Sequence, residues 1–251
     1  MSTSKTPEFL VVVPARLGST RLPRKPLADI DGKPMVIRVA EQAKKSSAHS
    51  VVVATDSTEI QAVCDAHRVE CLLTNAEHPT GTDRLSEMVQ LLELSDDEIV
   101  VNVQGDEPLI PPELINEVAH TLSTHPQAAI ATAALPIIDA EEINNPNVVK
   151  VVCNQAEEAL YFSRAPIPFA RNPKEFVAPY YRHIGMYAYR ASFLRAFAQL
   201  EPAPIEQAES LEQLRALYNG YKIAVMITPT APPPGVDTVE DLERVRKLLG
   251  H

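Results

Sequence analysis

Two runs of three valines, at 11–13 and 51–53, sit in stretches with no polar alternation, Phe9 to Val13 and Ser50 to Ala54. A strand wetted on one face alternates apolar and polar residues. An unbroken run marks a strand covered on both faces, the situation crossover helices create in a parallel sheet. Helical patterns follow each run, Pro34 to Lys45 and Ser57 to His67. A third strand, Val69 to Leu73, leads to a helix over Asp83 to Leu92, with Leu85, Met88, Val89 and Leu92 on one face. The pattern continues with a strand at Glu98 to Val103, a helix at Pro111 to Thr124 and a strand at Ala128 to Leu135. This alternation predicts βαβ units and an α/β fold with a mostly parallel central sheet flanked by helices. The punctuation agrees: Pro34 suits a first helical turn, and Asp56 with Glu59 resembles a capping box.

After about residue 140 the regularity loosens. Short strands at Val148 to Cys153, Ala159 to Phe162 and Ile184 to Tyr189 surround the proline-rich APIPFARNPKEFVAP, and a helix follows around Leu211 to Leu217. Residues 146–220 read as a smaller inserted lobe or a dimerisation element inside one domain spanning 1–251. A strand at Ile223 to Ile227 and an amphipathic helix from Thr238 to Leu249 close the chain. At 251 residues, 45% hydrophobic, there is enough apolar material for such a core.

A formal charge of −10 argues against nucleic acid as a partner. Three cysteines without a C-x-x-C pair fit neither a disulfide framework nor a cysteine-rich zinc site, which implies a reducing compartment. No apolar run approaches the roughly 20 residues of a membrane helix, and the start carries no secretory signal. The expected location is therefore cytoplasmic, with no membrane partner. None of the eight glycines are spaced as a dinucleotide fingerprint requires, so any phosphate site must be built another way.

Directly after the first strand stands PARLGSTRLPRKPL, residues 14–27. It crowds Arg16, Arg21, Arg24 and Lys25 at a strand's carboxyl end, where open α/β sheets bind ligands. With the donors of Gly18, Ser19 and Thr20 this set suits a triphosphate. A solvated basic loop is the alternative, and Pro14, Pro23 and Pro26 favour a preorganised turn. VNVQGDEP, residues 101–108, places Asp106 and Glu107 past a buried strand. A carboxylate there can hold a magnesium ion that also binds phosphate oxygens, or simply make an Asx-type turn. Asp237 in GVDTVEDLE lies between a strand and a helix and by itself reads as a helix start.

In TGTDR, residues 80–84, Thr82 or Asp83 reads as a cap. Arg84 is a cation at a helix start, disfavoured there unless an anion is near. It is a ligand candidate, with a surface salt bridge as the alternative. Arg164 stands beside a strand end in YFSRAPIPF, and His183 precedes one in YRHIGMYAYR, where a lone histidine can equally be structural. Glu212 and Gln213 stand on the helix that begins near Leu211.

These segments, with VVVATD, NPNVVKVV, RHIGMYAY and LEQLRAL, resemble the 3-deoxy-manno-octulosonate cytidylyltransferase (CMP-KDO synthetase) family from residue 9 to about 249. The resemblance implies a Rossmann-like nucleotidyltransferase fold and transfer of CMP from CTP to the anomeric hydroxyl of the eight-carbon acid sugar KDO. It implies pyrophosphate release, a magnesium (Mg2+) requirement, a product used in lipopolysaccharide biosynthesis, and a homodimer. Carried over by motif, Ala15, Arg16, Ser19, Lys25, Thr82, Arg84 and Gln104 would bind the nucleotide. Asp106 and Asp237 would ligate the metal, and Lys25, Arg16, Asp106 and Asp237 would carry catalysis. Gln104, Arg164, His183, Tyr187, Glu212 and Gln213 would line the sugar site, with Arg164 or a protonated His183 meeting the sugar's carboxylate. CMP transfer to sialic acid or 8-amino-KDO, and nucleotide binding without turnover, are the alternatives.

The chain departs from the family's pattern at Arg24, where RLPxKPL usually carries a small residue, most often glycine. Proline in APPPGVD and a short stretch between Phe169 and Tyr181 are further departures.

Overall fold

The computed structural model describes residues 7–18, 21–78, 80–172 and 179–249. The strands among them are β1 (Phe9–Ala15), β2 (Asp29–Ile30), β3 (Lys33–Pro34), β4 (Ser50–Thr55), β5 (Glu70–Leu73), β6 (Ile99–Asn102), β7 (Ala128–Pro136), β8 (Lys150–Cys153), β9 (Ala159–Ser163), β10 (Tyr181–Arg190) and β11 (Lys222–Ile227). The helices are α1 (Met35–Ala43), α2 (Thr58–Ala66), α3 (Gly81–Leu91), α4 (Pro112–Thr124), α5 (Ala140–Asn144), α6 (Ala191–Phe197), α7 (Pro204–Glu209), α8 (Gln213–Tyr218) and α9 (Val239–Leu249), with a 3-10 turn at Lys25–Leu27.

The main sheet runs β11-β7-β10-β6-β1-β4-β5, and β8 and β9 extend it from β10. The two valine runs pair with each other in parallel, Val11 opposite Val51, and both are buried. Parallel pairing also joins β1 to β6, β4 to β5 and β7 to β11, while β10 is antiparallel to β6 and β7. The sheet is thus mostly parallel, with helices on both faces. Phe9, Val11 and Val13 pack toward α1, α4 and α9, and Leu10 and Val12 toward α3, α6 and α8, so alternate residues of one strand feed two cores.

Local chemistry sets the helix starts, at two points differently from the sequence pattern. Ser57 caps α2 by accepting from Ile60 N, in place of the expected Asp56/Glu59 box. Thr80, rather than Thr82 or Asp83, caps α3 by accepting from Asp83 N. β10 is also longer than expected and lies in the middle of the sheet between β6 and β7. Its irregularity between Ile184 and Tyr187 interrupts the polar/apolar period. Helices α6 and α7 have no counterpart in the sequence reading, being too short for a 3.6-residue period to declare itself.

Candidate active site

Loops at the carboxyl ends of β1 and β6, the start of α3 and the turn before α9 enclose a cleft of about 390 Å³. Ala15, Arg16, Lys25, Arg84, Gln104, Asp106 and Asp237 all line it, as do Arg21, His78, Thr80 and Gly81. Ser19 lies outside the described residues. The segments meet because side chains are missing where backbones touch. A Cβ on Gly105 would stand 2.6 Å from the Pro14 carbonyl oxygen, so only glycine lets the β6 turn lie against the end of β1. Gly235 similarly lets its loop approach Asp106, and Val236 N donates to the Asp106 carbonyl at 2.8 Å.

This approach brings the two distant aspartates around one cation. Lys25 Nζ donates to Asp106 Oδ2 at 2.7 Å and to Asp237 Oδ1 at 3.0 Å, and Arg21 Nη1 lies 3.3 Å from Asp237 Oδ2. Burial lowers the Lys25 pKa, but the bonds and charges of the two carboxylates outweigh it, and the net direction is upward. Asp237 is free for this contact because Asp241 accepts from the amides of Asp237 and Thr238, while Thr238 Oγ1 accepts from Asp241 N. The helix start therefore caps itself without the Asp237 side chain. Beside Asp106, burial and then the neighbouring charge push the Glu107 carboxyl up to about 8, and its Oε2 is buried without a hydrogen-bond partner.

The departure at Arg24 has a backbone cause: its φ is 57°, the left-handed region where glycine is at ease. The guanidinium turns away from the cleft and pairs with Glu59 near the start of α2. Arg84 is no surface cation. It is 4% exposed, donates through Nη2 to Asp56 Oδ2 at 2.9 Å, and its Nη1 bonds Thr74 Oγ1. A cation at a helix start is tolerated because the end of β4 supplies the anion.

The other expected residues divide. Thr82 does not line the cleft; its hydroxyl donates to Glu212, and both border a second cavity of about 70 Å³ with Tyr187, Tyr189, Phe193, Phe197 and Gln213. Burial raises the Glu212 pKa, the hydrogen bond from Thr82 offsetting part of the rise. Gln213 Nε2 is buried without a partner. His183 stands next to this cavity, edge-on to Phe162 and tilted against Tyr187, with Nε2 3.0 Å from Thr132 Oγ1. Burial pushes its pKa down to about 3, which favours the neutral ring over the protonated one that the sequence offered beside Arg164. Arg164 is occupied by main chain, donating to the carbonyls of Glu209 at 2.7 Å, Pro146 at 3.0 Å and Ser210 at 3.4 Å. These bonds take three of the five guanidinium N–H donors, one on each nitrogen.

Tyr189 and Phe193 were absent from the expected set, although Tyr189 belongs to RHIGMYAY. His78 was also missed, and nothing in its local sequence marks it.

A parallel sheet whose strand ends gather cations and paired carboxylates in one cleft defines a nucleotidyl-transferring α/β protein, and the chain belongs to the cytidylyltransferase family, whose model matches residues 10–223. A 3-deoxy-manno-octulosonate cytidylyltransferase of Polynucleobacter asymbioticus is 69% identical over 100% of both chains. One from Polynucleobacter necessarius subsp. necessarius is 71% identical over 99% of this chain and 98% of its own. A solved CMP:2-keto-3-deoxy-manno-octonic acid synthetase complexed with CTP superposes with a TM-score of 0.90 at 42% identity, covering 97% of this chain and 99% of that one. A cytidylyltransferase from Leptospira borgpetersenii, 17% identical with a TM-score of 0.62 over 97% and 87%, shares the fold. Within the family the chain falls among the 3-deoxy-manno-octulosonate cytidylyltransferases.

Proposed function

We infer that the cleft takes CTP and the neighbouring cavity contributes to the acceptor site. The chain transfers CMP from CTP to the anomeric hydroxyl of KDO, releasing pyrophosphate and giving CMP-KDO for lipopolysaccharide biosynthesis. The observation that carries the reading is the convergence of Lys25, Asp106 and Asp237 beside Arg16 at the strand ends. Relatives covering the whole chain carry the enzyme's name, and the structural neighbour holds CTP.

Displacement at the α-phosphorus asks for alignment and charge neutralisation rather than a covalent nucleophile. Arg16 and Lys25 face the triphosphate, with Arg84 fixing the start of α3 on the opposite wall and Gln104 placed between nucleotide and sugar. Asp106 and Asp237 would hold magnesium: their oxygens already converge on one cation, and carboxylate oxygens are the donors that ion prefers. Magnesium held there would supply charge neutralisation at the phosphates. Glu212, Gln213, Tyr187 and the neutral His183 shape the sugar side by hydrogen bonding and packing. Arg164 belongs to the same side of the molecule, where it ties the end of β9 to the loop ahead of α8.

The reading extends to a homodimer in which residues 146–220 form the sugar-binding and dimerisation lobe. The exposed Phe169 and Leu160 on that stretch support this. It also includes a cytoplasmic location, which three free cysteines and a biosynthetic role support. Among the described residues no helix is long and apolar enough to cross a membrane.

The test is pyrophosphate release from CTP with KDO, 8-amino-KDO and sialic acid in turn, with and without magnesium. Release that needs magnesium and is fastest with KDO is expected. Faster release with either other acid sugar, or none with any, overturns the reading.

A further inference from the structure

The side chain of Lys25 is 15% exposed and touches both carboxylates that the proposed function gives to a metal. Its backbone is pinned on either side. Arg24 is held at positive φ and tied to Glu59, and the buried Pro26 follows in the 3-10 turn. The side chain can still swing, because a lysine stem is flexible and its ammonium behaves as a compact point charge. Two aspartates brought this close repel each other unless a cation lies between them. Arg21, 3.3 Å from Asp237 and more exposed, reaches one of the two. Lys25 is bonded to both.

We propose that Lys25 is the resting counter-ion of the Asp106–Asp237 pair. It holds divalent cations out of the nucleotide-free protein and releases the carboxylates when a triphosphate offers its ammonium another anion. Metal then enters with the nucleotide and not ahead of it. The inference rests on the metal role proposed for the two aspartates. A pair closed in ~90–99% of molecules lowers apparent metal affinity by ~10–100-fold, because only the open fraction is competent.

The test measures Mn2+ binding from the electron paramagnetic resonance signal of the free ion. It compares wild type, Lys25→Met, Lys25→Arg and Asp106→Asn, without nucleotide and then with CTP but no acceptor, the latter against Mn2+ and CTP without protein because a triphosphate itself chelates the ion. Without nucleotide, Lys25→Met is expected to bind Mn2+ about ten-fold or more tightly than wild type, whereas Lys25→Arg, which restores a cation, stays like wild type. CTP should bring wild type toward Lys25→Met. Melting curves by circular dichroism accompany each variant, and Lys25→Gln replaces Lys25→Met if the latter does not fold.

Equal Mn2+ affinity of wild type and Lys25→Met without nucleotide overturns the proposal. If wild type alone already binds tightly and Asp106→Asn abolishes binding, the metal reading stands and only the role of Lys25 falls. If no variant binds Mn2+ even with CTP, the metal reading falls as well.

Discussion

The cleft at the strand ends and the cavity behind it solve opposite problems with neighbouring residues. In the cleft, opposite charges pair: Lys25, Arg21, Asp106 and Asp237 form a partly exposed network drawn from three separate segments. In the cavity, burial drives side chains toward neutrality. Burial pushes the His183 pKa down and the Glu212 pKa up; His183 lies against Tyr187, and Glu212 borders the cavity with Tyr187, Tyr189 and Phe193. The cleft offers cations at the strand ends, whereas the cavity offers aromatic rings and a buried Gln213 amide without a partner. The difference teaches that adjoining parts of one fold can set their electrostatics in opposite ways, one by ion pairing and the other by burial.

The strongest attack on this contrast is Asp106→Asn. It is expected to cut magnesium-dependent turnover by ~100-fold or more in a pyrophosphate-release assay, as loss of an electrostatic transition-state contact does. Near-wild-type turnover breaks the charged half of the comparison.

The buried half can be broken at Arg215. It makes two bonds to Glu206, at 2.9 and 2.6 Å, under a roof formed with Phe197, and both partners are buried. Arg215→Met strands the Glu206 carboxylate, and unfolding in urea should show a loss of ~3–5 kcal/mol. Arg21→Met, removing an exposed ion pair in the cleft, should change stability by less than ~1 kcal/mol. Equal effects would mean that the two regions do not differ in burial as described.

His183 sharpens the comparison through pH. Its folded pKa, about 3, lies below the ordinary histidine value, so the unfolded chain takes up the extra proton on acidification. The stability tied to the neutral ring is fully present above pH ~6.5 and falls as pH drops toward 3, by up to ~1.4 kcal/mol per unit. Subtracting the profile of His183→Gln from that of wild type, both from urea unfolding, should leave this slope. The acceptor KM of wild type should show no histidine titration near neutrality. A KM that climbs above pH 6.5 would restore a protonated ring.

The smallest expected effect is that of Arg24→Gly. Relief of left-handed strain, ~1 kcal/mol, and loss of an exposed ion pair, ~0–1 kcal/mol, oppose each other. Thermal stability should move little, and the KM for CTP should stay within about two-fold. A large rise in that KM would place Arg24 in the cleft after all.

Much of this was legible in the chain. PARLGSTRLPRKPL and VNVQGDEP display their charges beside unmistakable strands, so the cleft's lining could be named before any coordinates. The cavity was harder to read because its residues owe their chemistry to burial. Thr82 looked like part of the nucleotide motif and instead bonds Glu212, far along the chain. Arg164 reads as a carboxylate donor, and part of its guanidinium also bonds main-chain carbonyls at Glu209 and Pro146. Neither outcome has a local signal, since each depends on which distant backbone comes to lie alongside.

The sequence by itself determined the parallel strands, the longer helices between them and the loops that carry charge, because periodicity acts over a few residues. Only the tertiary structure decided that Lys25 would lie between Asp106 and Asp237, that Asp237 would be spared from capping α9, and that His183 would be neutral. Lys25 reaches its two partners across 81 and 212 residues of chain and the His183 shift comes from desolvation, and no local pattern encodes either.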